Sequence, residues 1–171
     1  ATLANFQKIL SCFKRSFYGT SLIYEIFDVS KLLDYLLLKI KKQHHMILIV
    51  KFFAATFGFF GIIFGAFGAH RLKRILAPEV LHSFDTGVKY QLIHAVVLLI
   101  LGFHFEFIDF TERMIASSLI IGVLLFSGSI YALCYAKAKK MNLKFLGPVT
   151  PVGGLLLMTG WGLLLYYFIV Q

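Results

Sequence analysis

The sequence predicts an all-α membrane protein, a four-transmembrane-helix bundle with an N-terminal amphipathic helical extension. Apolar residues make up 59% of the 171 residues and charged residues only 15%, whereas about 25% of the residues in a soluble domain are charged. The 19 phenylalanines lie mostly in long runs without charge, which a bilayer accommodates better than a soluble core of this size. Four such runs approach the roughly 20 residues needed to cross the hydrocarbon layer.

The extension, residues 1–45, differs in composition from the rest of the chain. Its basic residues outnumber its acidic residues seven to three. Apolar side chains recur there at steps of three and four residues, which places them on one face of a helix: Leu22, Ile26, Val29, Leu33, Leu36 and Ile40. Asp28, Lys31 and Asp34 fall on the opposite face, so we expect this helix to lie on a membrane surface or dock on a partner. Because Met46 stands where a compact bundle begins, we expect residues 1–45 to be an added arm or the product of an upstream start.

The predicted spans cover residues 46–69, 90–105, 115–136 and 152–170. In the first span the only charged residue is Lys51, which lies close enough to the end to snorkel. Glycines on one face of this span recur at steps of three or four residues: Gly58, Gly61, Gly65 and Gly68. In lipid, such a face lets another helix approach closely. We therefore predict helix packing within the chain, with a seam between two copies as the alternative.

The fourth span opens with Thr150 and Pro151, which suit the N-cap and the first helical position. Trp161 lies well inside this span, although tryptophan prefers the membrane interface. We therefore expect the Trp161 ring to face the bundle and take part in helix packing. Its N–H is expected to bond a neighbouring carbonyl.

The charges between the spans predict the orientation of the bundle. Basic residues concentrate in the loops 70–89 and 137–151, and the loop between spans two and three contains Glu106, Asp109 and Glu112. The positive-inside rule then places both basic loops on the cytoplasmic or matrix side, in a bacterial cytoplasmic (inner) membrane or a mitochondrial inner membrane. The net charge of +9 lies between apolar runs, not on one basic face, so we expect no nucleic-acid partner.

Several polar residues form a candidate pocket near one end of the spans. Gln91 and His94 are three residues apart and share a helix face. At a rise of about 1.5 Å per residue, His94 and Tyr131 lie at a similar depth below the basic surface. We predict that these three side chains converge, with His70 and Thr150 as caps. An ionisable residue inside the membrane suggests a functional site, whereas the same residue types also join helices by hydrogen bonds.

Other kinds of chemistry have less support in the sequence. Cys12 and Cys134 show no zinc-site or disulfide spacing and are interpreted as free thiols. No pair of a nucleophile and a base stands out, so an enzyme is the weakest interpretation. No carboxylate lies inside a predicted span, which argues against a conventional proton or sodium carrier. We expect neither a cofactor nor a metal site.

Five stretches of the chain together resemble one family. They are GAFGAH at 65–70, TGVKYQLIHA at 86–95, LFSGSIYAL at 125–133, LGPVTPVGG at 146–154 and GW at 160–161. In this order, over about residues 46–171, they resemble the YgdD-like family of small multi-span inner-membrane proteins, a domain of unknown function. The resemblance implies the fold and the membrane location and leaves the activity open.

Two functions remain for such a chain. Its small size, its close-packing spans and the lack of a catalytic signature favour a structural or accessory component of a membrane assembly. This component would contact the lipid bilayer and either a larger membrane-protein complex or further copies of itself. The alternative is a small-molecule or ion pathway that uses the polar pocket near His94 and Tyr131.

Overall fold

The computed structural model describes residues 29–170, and this part of the chain is helical. Its four long helices are α1 (Val29–His70), α2 (Pro78–His104), α3 (Phe110–Ala138) and α4 (Val149–Val170). Two short 3-10 turns, Leu72–Arg74 and Lys144–Leu146, lie in the first and third connections. Each long helix is apolar and long enough to cross a membrane. The predicted all-α, four-span fold is therefore confirmed.

The N-terminal extension lies mostly outside the described residues. Leu22, Ile26 and Cys12 belong to that part, so the amphipathic helix and the thiol of Cys12 stay predictions. The chain divides into two units at residue 41, and every helix contact described below lies in the second unit. The predicted domain boundary at residues 45 and 46 also stays a prediction.

All four helices begin earlier than the predicted spans, α2 by twelve residues and α3 by five. Helix α2 begins at Pro78, a favoured residue at the first helical position, so His82 lies on the helix and not in a loop. Helix α3 begins at Phe110, which places Glu112 on that helix as well. Hydropathy identifies the part of a helix that lipid surrounds, whereas the backbone hydrogen bonds continue into the polar ends. The predicted spans were therefore shorter than the helices.

Helix α4 begins two residues earlier than the sequence predicted. Its first residue is Val149, so Thr150 is not the N-cap. Pro151 lies in the first turn, where a missing N–H leaves no helical hydrogen bond unmade. The early start matters for the site because it fixes the direction of the Thr150 hydroxyl, which bonds to α3.

Helices α3 and α4 run antiparallel with their backbones close together. A β-carbon on Gly153 would overlap the backbone nitrogen of Phe126 and lie 2.8 Å from its Cα. One on Gly122 would lie 3.0 Å from the backbone nitrogen of Leu157. Real β-carbons do not approach backbone atoms as closely as at Gly153, so only glycine fits there without a shift of one helix. At Gly122 the closest atom is instead Cδ2 of the Leu157 side chain, at 2.7 Å.

Helices α1 and α2 also run antiparallel, but their contacts are made by side chains. A β-carbon on Gly61 would lie 2.6 Å from Cδ2 of Leu92, and one on Gly65 would lie 3.6 Å from Cγ1 of Val88. A β-carbon on Gly68 would meet the Phe84 ring at 3.3 Å. Gly58 has no atom within 4 Å of its position. Three of the four predicted packing glycines therefore face α2.

The connection between α2 and α3 contributes a core residue. Phe107 has a φ of 56°, a left-handed conformation that costs a residue with a side chain about 1–2 kcal/mol. Its ring is only 1% exposed and packs in the same apolar cluster as Leu98, Ile115 and Leu119. Burial of a phenylalanine side chain contributes about 1.5–3 kcal/mol, which offsets the backbone cost and closes this end of the bundle.

Candidate functional site

Gln91 connects three helices through its side-chain amide. It lies on α2 and is 4% exposed. Its Nε2 donates to the carbonyl oxygen of Phe57 on α1 at 2.8 Å, and its Oε1 accepts a hydrogen bond from the hydroxyl of Tyr131 on α3 at 2.8 Å. A carbonyl can only accept, so the Phe57 contact fixes the orientation of the amide. Both ends of the buried amide are therefore engaged, as burial in apolar surroundings requires.

His94, about one turn further along α2, bonds to a separate set of partners. Its Nδ1 donates to the carbonyl oxygen of Tyr90 at 2.7 Å, and its Nε2 accepts from Nε1 of Trp161 on α4 at 3.2 Å. A carbonyl can only accept and an indole N–H can only donate. The two bonds together therefore require the neutral imidazole with its proton on Nδ1.

The environment of Trp161 differs from the predicted one. Its N–H bonds to an imidazole nitrogen, so the expected carbonyl partner was wrong. The residue is 45% exposed, which means that its ring covers His94 from the outside of the bundle instead of turning fully inward. The imidazole Nε2 is available to accept because the ring's proton is on Nδ1, which donates to the carbonyl oxygen of Tyr90.

The two predicted caps are not hydrogen-bonded to Gln91, His94 or Tyr131. His70 is the last residue of α1 and is exposed. Oγ1 of Thr150 lies 2.7 Å from Oγ of Ser129. Because the Ser129 hydroxyl donates to its own helix, the Thr150 hydroxyl is the donor in this pair. The predicted pocket thus separates into the Gln91–Tyr131 chain, the His94–Trp161 pair and the Thr150–Ser129 pair.

Tyr131 also borders a groove, called here the aromatic groove. Its ring lies 4.8 Å from that of Phe64 and 5.0 Å from that of Phe84, measured between centroids. The groove has a volume of about 330 Å³ and continues past Leu72 and Cys134. The Cys134 thiol lies 3.5 Å from the carbonyl oxygen of Val80 and is buried. An apolar molecule or chain fits these walls better than a charged one.

The sequence interpretation missed Glu112. Its side chain is 6% exposed, its Oε1 accepts a hydrogen bond from the Tyr167 hydroxyl at 2.9 Å, and its Oε2 is buried without a partner. Helical spacing held the signal, because Glu112 precedes the core residues Ile115 and Leu119 by three and seven residues. The sequence interpretation assigned Glu112 to a loop because it lies near the polar end of the span. Its position on the core face of the helix was therefore overlooked.

The arrangement of these groups favours hydrogen bonding between helices over bond-making chemistry. Within residues 29–170, no three His, Cys, Asp or Glu side chains come close enough to hold a metal ion. Gln91, His94 and Ser127 each bond across to another helix, Ser127 by donating to the carbonyl oxygen of Gly87 at 2.8 Å. These bonds contribute about 0.6 kcal/mol each, up to about 1.7, in membrane proteins.

Comparison with known proteins places this bundle among membrane proteins of unassigned activity. A family model described as "Protein of unknown function (DUF423)" matches residues 64–154. A UPF0382 membrane protein of Haemophilus influenzae is 38% identical over 112 residues, which are 66% of this chain and 86% of that protein. A UPF0382 membrane protein of Schizosaccharomyces pombe is 36% identical over 113 residues, which cover 66% and 94% of the two chains.

One further relative is named for the membrane in which it lies. The UPF0382 inner membrane protein YgdD of Escherichia coli K12 is 35% identical over 114 residues, which are 66% of this chain and 83% of that protein. No solved structure matches the chain. Both the family resemblance predicted from the motifs and the membrane location are confirmed by these matches.

Proposed function

The chain belongs to the DUF423 family of proteins of unknown function and is an integral membrane protein, and from this premise we propose that it acts as a structural or accessory component of a membrane assembly. Its role is to supply a rigid, lipid-embedded bundle, not to turn over a substrate. The observation that carries the proposal is the pairing of polar side chains across helices. Gln91 and His94 each use both polar ends of their side chains in such bonds or in their own helix.

This pairing matters because a carrier or an enzyme needs polar groups that a substrate can reach. A buried donor or acceptor that already has a partner gains nothing from a ligand unless that partner is released. Neither Gln91 nor His94 lines the aromatic groove or the groove beside Lys137. The polar centre is therefore best explained as the means by which α2 is fixed to its three neighbours.

We assign the basic end of the bundle to the cytoplasmic or matrix side. The segments 70–89 and 137–149 each contain four lysine or arginine residues, and the positive-inside rule retains such segments on that side. We place the chain in a bacterial or mitochondrial inner membrane, and the support for this is that the Escherichia coli relative is named an inner membrane protein. Labelling of single cysteines introduced at Lys73 and at Asp109 from outside intact cells tests the orientation. The proposed orientation predicts labelling at Asp109 and not at Lys73. Labelling at Lys73 alone means that the bundle has the opposite orientation.

Native mass spectrometry tests the accessory role directly. The full chain is extracted from its own membrane in a mild detergent and measured without denaturation. The proposal predicts other subunits bound at fixed stoichiometry. A monomer, or a homo-oligomer without other subunits, contradicts it. The same spectrum gives the mass of the mature chain and so tests whether it begins before Met46.

A small-molecule site near Tyr131 is the second candidate function. The observation in its favour is the aromatic groove, which brings an apolar space of about 330 Å³ against the ring of Tyr131. The Tyr131 hydroxyl is bonded to Gln91, so a ligand in the groove contacts a residue whose hydrogen bonds help to join α1, α2 and α3. This candidate predicts a low-mass species that remains bound in the native spectrum.

Two variants separate this candidate from simple destabilisation. Phe84→Ala removes an aromatic wall of the groove, and Trp161→Phe removes a hydrogen bond outside it. A ligand of the aromatic groove is lost from the first variant and kept by the second. Loss from both variants, or retention by both, is evidence against the groove.

A further inference from the structure

A second groove, called here the basic groove, opens at the end of the bundle where the lysines concentrate. It has a volume of about 340 Å³ and lies between α2, α3 and the first turn of α4. His82, Lys137 and Thr150 line its polar part, and Ile130 and Leu133 line its apolar part. Lys137 and His82 are exposed, whereas Ile130 is buried. The groove therefore joins the surface of the bundle to its apolar interior.

The polar and apolar parts of the basic groove lie at different depths. Lys137 and Ile130 are seven residues apart on α3, which corresponds to about 10 Å along the helix axis. Lys137 lies in the last turn of α3, near the end of the span. A molecule that fills the groove lengthwise thus has its polar part at the membrane surface and its apolar part in the hydrocarbon.

The surrounding charge selects the polar part of the ligand. Residues 137–149 contain four lysines and no acidic residue. The hydroxyls within the groove add no donors, because those of Ser83 and Thr86 donate to backbone carbonyls of their own helix and that of Thr150 donates to Ser129. The donors left for a ligand are the Lys137 ammonium and the His82 ring, and an ammonium is a strong binder of phosphate.

We propose that the basic groove binds one anionic phospholipid, with its phosphate at Lys137 and His82 and the start of an acyl chain along Leu133 and Ile130. A zwitterionic lipid meets the same apolar wall but carries a second, cationic group into a segment that is already positive. A free phosphate meets only the polar part. The combination of both parts therefore favours a lipid whose headgroup carries net negative charge.

Lipid exchange followed by native mass spectrometry tests the site. The full chain is purified in detergent micelles and titrated with phosphatidylglycerol or, separately, phosphatidylcholine. The proposal predicts one tightly retained phosphatidylglycerol. In Lys137→Gln its affinity falls about fivefold, which corresponds to about 1 kcal/mol for one lysine near a membrane surface. Lys139→Gln is the matched control, since Lys139 is exposed on the same connection but does not line the groove.

The proposal is overturned by any of three results. An equal loss of affinity in Lys137→Gln and Lys139→Gln means that general surface charge holds the lipid. Equal retention of phosphatidylcholine and phosphatidylglycerol by the unaltered chain removes the charge argument. A third arm adds glycerol phosphate, which has the headgroup without acyl chains. Displacement of phosphatidylglycerol by equimolar glycerol phosphate assigns the groove to a soluble phosphate compound and overturns the lipid.

Discussion

The α3–α4 and α1–α2 seams are both lined with glycine, but they use it differently. At Gly153 the neighbouring helix presents the backbone of Phe126, whereas at Gly61 and Gly68 it presents the side chains of Leu92 and Phe84. A side chain can change rotamer to admit a methyl group, but a helix backbone moves only as a whole. The same residue type in similar spacing therefore fixes one helix pair rigidly and leaves the other adjustable.

The largest loss of stability is expected from a variant that disrupts the α3–α4 seam. Gly153→Ala places a β-carbon against the backbone of Phe126, which forces the two helices apart. We expect the variant to lose about 3 kcal/mol of unfolding free energy, at the upper end of the cost of overpacking. Thermal unfolding in detergent, followed by circular dichroism, measures the loss.

Gly162→Ala is the control for this variant on the same helix. A β-carbon at Gly162 has no other atom within 4 Å, so its stability should change by less than about 1 kcal/mol, the difference in helix propensity between the two residues. Similar losses of unfolding free energy in both variants mean that the glycines of α4 matter only for the conformation of their own helix. The seam then does not depend on close contact with the α3 backbone.

An intermediate effect is expected where hydrogen bonds join α2 to α1 and α3. Gln91→Leu removes the bonds to Phe57 and Tyr131 and leaves the tyrosine hydroxyl without its acceptor. We expect a loss of about 1–2 kcal/mol, because an unpaired buried polar group costs this much. The unfolding free energy in detergent measures it, and Tyr131→Phe is expected to cost less.

The double variant makes this prediction specific. If Gln91 and Tyr131 act through their mutual bond, the sum of the losses in the two single variants exceeds the loss in the double variant by a coupling of about 0.6–1.7 kcal/mol. Strictly additive losses mean that the Gln91–Tyr131 bond contributes nothing to stability and that apolar packing alone holds α2 to α3.

The smallest effect is expected at the predicted glycine face of α1. Gly61→Ala meets the end of the Leu92 side chain, which can rotate away, so the loss should stay below about 1 kcal/mol. Gly58→Ala meets no atom within 4 Å and serves as its control. Unfolding in detergent measures both. A loss at Gly61 as large as that at Gly153 makes the two seams equivalent and removes the contrast between them.

The fold was predictable because the lipid bilayer determines both the hydropathy and the minimum length of a helix that crosses it. Long uncharged runs identified all four spans, although not the first three turns of α2, whose polar residues 78–89 carry no lipid signal. Glycine spacing predicted which face of α1 meets a helix. It did not reveal that the backbone of Phe126 is the partner of Gly153, because two-helix contact depends on the register between distant segments.

For the candidate site, only the depth of its residues in the membrane was predictable from the sequence. A helical rise places Gln91, His94 and Tyr131 near one height, and the structure hydrogen-bonds Gln91 to Tyr131. Depth does not determine which helix lies on which side, so the pairing of His94 with Trp161 was out of reach. Any ligand or transport role for these residues stays a prediction, because hydrogen bonding between helices explains their burial equally well.

The close approach of α3 and α4 also limits how the length of the chain can vary. From Leu119 to Gly122 to Phe126, each step on α3 is matched by an equal and opposite step from Gly160 to Leu157 to Gly153 on α4. One residue inserted between Leu119 and Gly122 turns the rest of α3 by about 100° and moves Gly122 and Phe126 away from their partners on α4. Insertions and deletions are therefore tolerated in the connection at 139–148 but not within the paired stretches, so related chains that differ in length should differ there or at their ends.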